Sequence, residues 1–340
     1  MRILVTGAAG FIGGYVVAEL LNRGHHVVGL DNYSKYGLIH RAHDTHPHYT
    51  LVVGDAKDER LMRRLAADCD QIVAGAAMIG GITYFHRYAY DLLAENERIL
   101  AATFDAAIEA HKAGGLEKIT VLSSSMVYES AETYPTPEGA EKISPPPVST
   151  YGFQKLACEY FARGAHEQYG LPYTIVRPFN CVGVGEGRAQ GAEVVLSGNV
   201  QLAMSHVLPD LAAKVLKGQD PLVILGEGNQ VRCYTHGTDV ARGIALCAES
   251  AAALNQDFNI STPRATTVLE LARLVWDEVH GGKVPFRYES DTPFPHDVQY
   301  RLPSTEKAKR LLGFEARVPL EDSVREVVAW IKGEIEAGRF

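Results

Sequence analysis

The 340-residue chain predicts an α/β fold, a doubly wound parallel sheet carrying a smaller C-terminal lobe. Three observations lead there. Short β-branched runs alternate with helix-length stretches through the first half, a glycine turn joins the first strand to the first helix, and the alternation breaks after Pro178. Strands alternating with helices of this length pair in parallel through right-handed crossovers.

MRILV reads as the first strand, TGAAGFIGG as a turn, and YVVAELLNRG as a helix by the spacing of its apolar residues. HVVGLD is a second strand ending at Asp31, and LVVGD a third ending at Asp55, with the helical stretch ERLMRRLAADC behind it. QIVAGAA, a helix from about Leu92 to Lys112, KITVLSSS, a helix from about Tyr151 to Tyr169, and YTIVRP continue the rhythm. This makes residues 1–178 one domain, to which TDVARGIALCAES (helix) and DFNI (strand) return residues 236–262. Glycine-rich and proline-rich segments assign 179–235 and 263–340 mainly to the lobe, closing over the carboxyl ends of the strands, where open α/β sheets bind ligands.

Composition narrows the function classes. With 46% hydrophobic and 22% charged residues the chain reads as an ordinary soluble globular protein, and no apolar run is long enough to span a membrane. The start MRILVTG lacks the features of a secretory signal, so a cytoplasmic location is expected. A net charge of -8 argues against nonspecific nucleic-acid binding. Five cysteines, an odd number without a CxxC pair, read as reduced thiols. His40, His43, His46 and His48 fall in one loop without cysteines or a rigid frame, so a solvated polar loop is expected there and no metal.

Gly7, Gly10 and Gly13 follow a strand and open a helix, the Rossmann-type arrangement in which the backbone approaches a pyrophosphate at a helix N-terminus. Asp31 falls where an acid binds the adenosine ribose and repels a 2′-phosphate, which favours NAD over NADP. Asp55 either accepts a bond from the adenine amine or caps the following helix. Tyr151 and Lys155 stand four residues apart on one helix face, where a cation lowers a phenol's pKa and makes it a proton acceptor. By itself that pair is common on ordinary helices.

TGAAGFIG, DNYS, VVGD, SSSMVY, STYGFQKLACE, RPFNCVG, NQVRCYTHGTDVARG and PSTEKAKRLLGFEARVPLEDSV occur in this order along most of the chain. In that combination the sequence resembles the extended short-chain dehydrogenase/reductase family, in its nucleotide-sugar epimerase and dehydratase branch. The resemblance implies NAD, with Phe11, Ile12, Asn32, Ala56, Ala76, Ala77 and Asn96 joining the glycines and the two aspartates around it. It implies Tyr151 as base, Lys155 as its partner and a nicotinamide-ribose ligand, and Ser124 as the bridging hydroxyl, with Ser125 a second candidate. Asn180 is implied at the substrate's phosphate or sugar, and Arg232 and Arg301 at the nucleotide diphosphate, which two guanidinium groups bind well. A homodimer is usual in such families. The chain departs from the pattern at Ala74-Gly75-Ala76-Ala77, where a histidine is often found, at Glu129 in place of a glycine, and at Thr150.

These relatives share a 4-keto intermediate and differ in its fate. Those that lose water or carbon dioxide carry acidic residues just before the VY pair, where this chain has Ser125-Met126. A thioether transfers no proton. An NAD-dependent 4-epimerase is therefore expected, acting on UDP-glucuronate or a related UDP-hexose, with Arg188 either binding a sugar carboxylate or facing solvent. A counter-signal lies in SHVLPDLAAKVLKG, where His206 matches the histidine of 3,5-epimerases while Met126 stands at their cysteine. Epimerisation at C3 or C5, or dehydration, is the alternative, and a catalytically silent NAD-binding protein a further one.

Overall fold

The computed structural model describes the chain apart from residues 80–86, 188, 190–192, 201–205 and 293–297. Seven strands form one parallel sheet: β1 (Arg2–Thr6), β2 (His26–Asp31), β3 (Tyr49–Val53), β4 (Gln71–Ala74), β5 (Lys118–Leu122), β6 (Tyr173–Pro178) and β7 (Gln256–Ile260), in the order β7-β6-β5-β4-β1-β2-β3. The order reverses between β1 and β4, so a crevice opens beyond their carboxyl ends. Alternation along β1 shows why the strands are apolar on both sides. Ile3 and Val5 pack with α1 (Phe11–Asn22) and α6 (Gly237–Glu249), whereas Leu4 packs on the opposite face with α2 (Glu59–Ala67), α3 (Ala89–Lys112) and α4 (Thr150–Tyr169).

A separate core joins α5 (Val207–Leu216), α7 (Val268–His280) and α9 (Leu320–Glu336) around the fully buried Trp276. Short pairings stitch it to the sheet domain: residues 181–182 run parallel to 235–236, and residues 231–232 antiparallel to 266–267. The segments assigned mainly to the lobe also contribute to the sheet domain, where Phe179 packs with Val127 and Tyr128. Ala308, on α8 (Glu306–Leu312), and Phe314 are buried with Ile3, Val240 and Phe258, so this piece of 263–340 packs with the sheet domain.

Behind β5 and β6 lies a buried ionic network. Arg177, fully buried, donates from Nε and Nη2 to the two oxygens of Glu159 at 2.7 Å each, and from Nη1 to the Tyr128 hydroxyl at 2.6 Å. Asp257 lies 2.8 Å from Arg177 and accepts from Lys307 at 2.7 Å. Three histidines of the 40–48 loop make ring contacts, His48 stacking on His26 and meeting His46 edge-on and His43 meeting Tyr49 edge-on, while the His40 side chain is exposed. Among the described residues no helix is long and apolar enough to cross a membrane, and no group of His, Cys, Asp or Glu is arranged to hold a metal ion.

Desolvation pushes the Asp257 carboxyl upward, but Arg177 and Lys307 outweigh it and hold its pKa at about 2. A carboxyl depressed in this way stabilises the fold above its unfolded pKa of about 3.9 and loses that contribution as pH falls through the folded value. Asp257→Asn is expected to cost about 2 kcal/mol at pH 7, with the difference from wild type shrinking toward pH 2. Urea unfolding at a series of pH values checks this.

Candidate active site

One cleft of about 470 Å³ runs from the glycine turn, past the ends of β4 and β5, to the lobe. Gly7 sits at φ +75°, and a Cβ there would lie 3.0 Å from the Ala76 backbone. A Cβ on Gly13 would overlap the Gly7 carbonyl oxygen, so helix and turn can pack this closely only as glycines. Gly10 caps α1 with no side-chain bond, which leaves the first-turn amides of the helix to a ligand. Thr6 Oγ1 accepts from the amides of Gly75 and Ala76 at 3.1 Å each, fixing the end of β4 beside the turn.

Asp31 lies in the cleft wall at the end of β2. Its two oxygens accept from the Ala9 amide (2.9 Å) and the Tyr33 amide (2.8 Å), so it also anchors the glycine turn. Desolvation raises its pKa, opposed by these amides and by the Arg41 guanidinium. Asp55 lines the cleft and accepts from the Lys57 amide at 2.8 Å; the cap of α2 is Asp58, which accepts from Arg60 and Leu61. Phe11, Ile12, Asn32, Ala56, Ala76 and Ala77 line the same cleft.

Asn96 does not line the cleft. Its amide is spent on Met78, accepting from the Met78 N–H (2.7 Å) and donating to its carbonyl (3.0 Å), and it is buried. These bonds hold Met78 in the wall of the cleft.

At the catalytic end the three serines divide their work. Ser123 Oγ donates to Glu159 Oε1 at 2.6 Å, joining the ionic network. Ser124 Oγ accepts from the Met126 N–H at 3.2 Å, a bond that does not use its hydroxyl hydrogen. That cap turns the chain into a 3-10 helix over Ser125–Tyr128, so the strand ends at Leu122, earlier than KITVLSSS implied. Ser124, Ser125, Met126, Tyr151 and Lys155 all line the cleft, and the buried Lys155 Nζ donates to the Leu122 carbonyl at 2.9 Å.

Glu129, a departure from the family pattern, has a local task that sequence reading missed. Its Oε2 accepts from the Ser149 amide (3.0 Å) and hydroxyl (2.8 Å), and Ser149 in turn caps α4 by accepting from Gly152. Gly152 lies so near the Met126 carbonyl that a Cβ would approach it to 2.8 Å. The first turn of the Tyr151 helix is thus set against the serine turn.

On the lobe side Asn180 has φ +34°, and its buried amide nitrogen makes no bond among the described residues. Val231 N–H donates to the Gln299 carbonyl (2.8 Å) and Arg301 N–H to the Val231 carbonyl (3.0 Å). This register brings Arg232 and Arg301 into the same part of the cleft from distant sequence positions. His206, at the N-cap of α5, lines the cleft and pairs with the buried Glu186, a partner the sequence did not announce. Burial raises the Cys181 thiol well above its ordinary pKa. Arg188 lies outside the described residues.

The fold and cleft define a dinucleotide-dependent enzyme with a serine, tyrosine and lysine at the end of β5. A profile of the NAD dependent epimerase/dehydratase family matches residues 3–261, and the chain belongs to that family. It is 28% identical over 334 residues to a putative UDP-glucose 4-epimerase of Methanocaldococcus jannaschii, covering 97% of this chain and 98% of that one. It is 26% identical to a UDP-N-acetyl-alpha-D-glucosaminuronate decarboxylase of Bacillus cytotoxicus over 98% of both chains. The crystal structure of Thermotoga maritima UDP-glucose 4-epimerase with UDP-glucose superposes with a TM-score of 0.80, at 27% identity, covering 98% of this chain and 100% of the other. NAD is the cofactor of the family, and the glycine turn, the uncapped α1 and Asp31 fit it.

Ser149→Ala is expected to cost about 1 kcal/mol through loss of the cap. Glu129→Gln, which keeps an acceptor for the same amide, should cost less. Chemical denaturation of both variants beside wild type checks the order.

Proposed function

We propose that the protein inverts C4 of a UDP-sugar, UDP-glucuronate or a related UDP-hexose, through a transient 4-keto sugar. The observation that carries this reading is Met126. It is buried in the cleft wall beside Ser124 and Tyr151, at the place where dehydrating and decarboxylating relatives carry acidic residues. A thioether supplies no proton to an elimination.

In this reading Tyr151 takes the proton of the C4 hydroxyl, with Ser124 bridging the two oxygens. The Lys155 ammonium, held on the Leu122 carbonyl, favours the charge that develops on the phenol. NAD, held by the glycine turn, the first turn of α1 and Asp31, would supply reversible hydride acceptance at C4. Arg232 and Arg301 hold the diphosphate while the hexose turns, and the Asn180 amide offers a donor to the phosphate or sugar. Tyr151 then gives the proton back, so cofactor and protein end as they began.

The same reading includes a homodimer. Exposed Phe153 and Tyr160 on α4 and Tyr90 on α3 support helix pairing on that side of the sheet domain.

Purified protein given UDP-glucuronate and UDP-glucose separately is expected to yield the C4 epimer in one or both, with no net reduction of added NAD. Proton NMR of the sugars reads the result, and release of water or carbon dioxide overturns the reading. Tyr151→Phe should lower turnover about 10²–10⁴-fold while leaving NAD binding nearly intact.

The Glu186–His206 pair favours a second reading. A carboxylate-fixed imidazole in the cleft is a base that C4 inversion does not need, and removal of a proton from C3 or C5 of the keto sugar would use it. Reaction in deuterium oxide separates the two: C4 inversion leaves C3 and C5 unlabelled, whereas the second reading puts deuterium there.

A further inference from the structure

Arg41 is absent from the cleft lining, yet it touches the segments that shape the cofactor end. Its Nη2 donates to the carbonyl oxygens of Ala9 (3.0 Å) and Gly10 (2.8 Å). The Gly10 carbonyl also takes the first helical bond of α1, from the Gly14 amide at 3.0 Å. Side chains are kept away from this seat. A Cβ on Gly14 would run into the guanidinium, and Gly185, at φ +95°, approaches from the other side, where a Cβ would lie 3.5 Å from Nη1.

Arg41 is itself held by its own loop. Its amide donates to Asp44 Oδ2 at 2.8 Å, and the chain then enters the 3-10 turn over Ala42–Thr45. Upstream, the same loop lays Asn32, Ser34, Lys35 and Ile39 along the cleft. The guanidinium therefore binds this loop to the glycine turn through two peptide carbonyls. It also adds a positive charge near Asp31 and opposes the desolvation of that carboxylate.

We propose that Arg41 is a positioning residue for the dinucleotide, a strut that fixes the glycine turn against the loop after β2. By holding the Gly10 carbonyl it aims the Phe11 amide of the same peptide group, at the first turn of α1, toward the pyrophosphate, while its hold on the Ala9 carbonyl fixes the peptide whose Gly10 amide closes the turn on the Gly7 carbonyl at 3.1 Å. The adenosine-diphosphate half of the cofactor is the part that depends on it. This inference rests on the cofactor and not on the sugar reaction.

The test titrates nucleotide-free protein with NAD and, separately, with ADP-ribose by calorimetry, alongside a thermal melt without ligand. Arg41→Met keeps the apolar stem and removes the donors. It is expected to weaken both ligands to a similar degree, about tenfold, the loss that corresponds to one charge-assisted hydrogen bond. Arg41→Lys keeps the charge but not the forked donor, and should fall between wild type and Arg41→Met. It carries the test if the methionine variant does not fold. Affinities within twofold of wild type overturn the proposal, whether or not the melting temperature falls, since a purely structural residue would change the melt alone. A loss for NAD without a matching loss for ADP-ribose overturns it as well.

Discussion

The Arg177–Glu159 pair is the interaction on which the catalytic end depends. Two parallel bonds of 2.7 Å bind β6 to α4 inside the protein, and Ser123 adds β5 to the same carboxylate. Glu159 stands one helical turn beyond Lys155, so the anchor for the serine strand and the lysine of the site lie on one face of α4. Buried ion pairs contribute little when compared with an apolar core, but removing one partner strands a charge at a cost of about 3–5 kcal/mol. The network therefore specifies an arrangement more than it adds stability. It extends through Tyr128 and Asn259 to the Thr136 and Ser304 carbonyls, close in sequence to Arg301.

The cleft is assembled between two cores that share few backbone ladders. The sheet domain supplies the dinucleotide side and the serine, tyrosine and lysine, and the lobe supplies α5 and its neighbours. Arg232 and Arg301 reach the same cleft through a single bridge between segments far apart in sequence. Their positions follow from the tertiary pairing of residues 231 and 300.

Much of this architecture was legible in the residues themselves. The sheet strands showed as β-branched runs because both faces are buried, and the glycine turn showed because two of its positions leave no room for a Cβ. What stayed hidden depended on contacts between distant segments. Glu129 read only as a departure from a pattern until Ser149 was found on its carboxylate, and Glu186 gave no signal before folding placed it against His206. Asn96 likewise gave no sign that its amide would be bonded on both sides to Met78 in the cleft wall. Ser124 begins the 3-10 turn and Ser125 lies within it, and both line the cleft.

Asp31 joins two properties that are usually thought of separately. The carboxylate that stands in the cleft wall at the end of β2 also holds the Ala9 amide, and through it the glycine turn. In terms of substitution, the charge at the end of β2 and the geometry of the glycine turn meet in one side chain. Asp31→Asn would remove the charge and keep an acceptor for the Ala9 amide, whereas Asp31→Ala would remove both and loosen the turn with the charge.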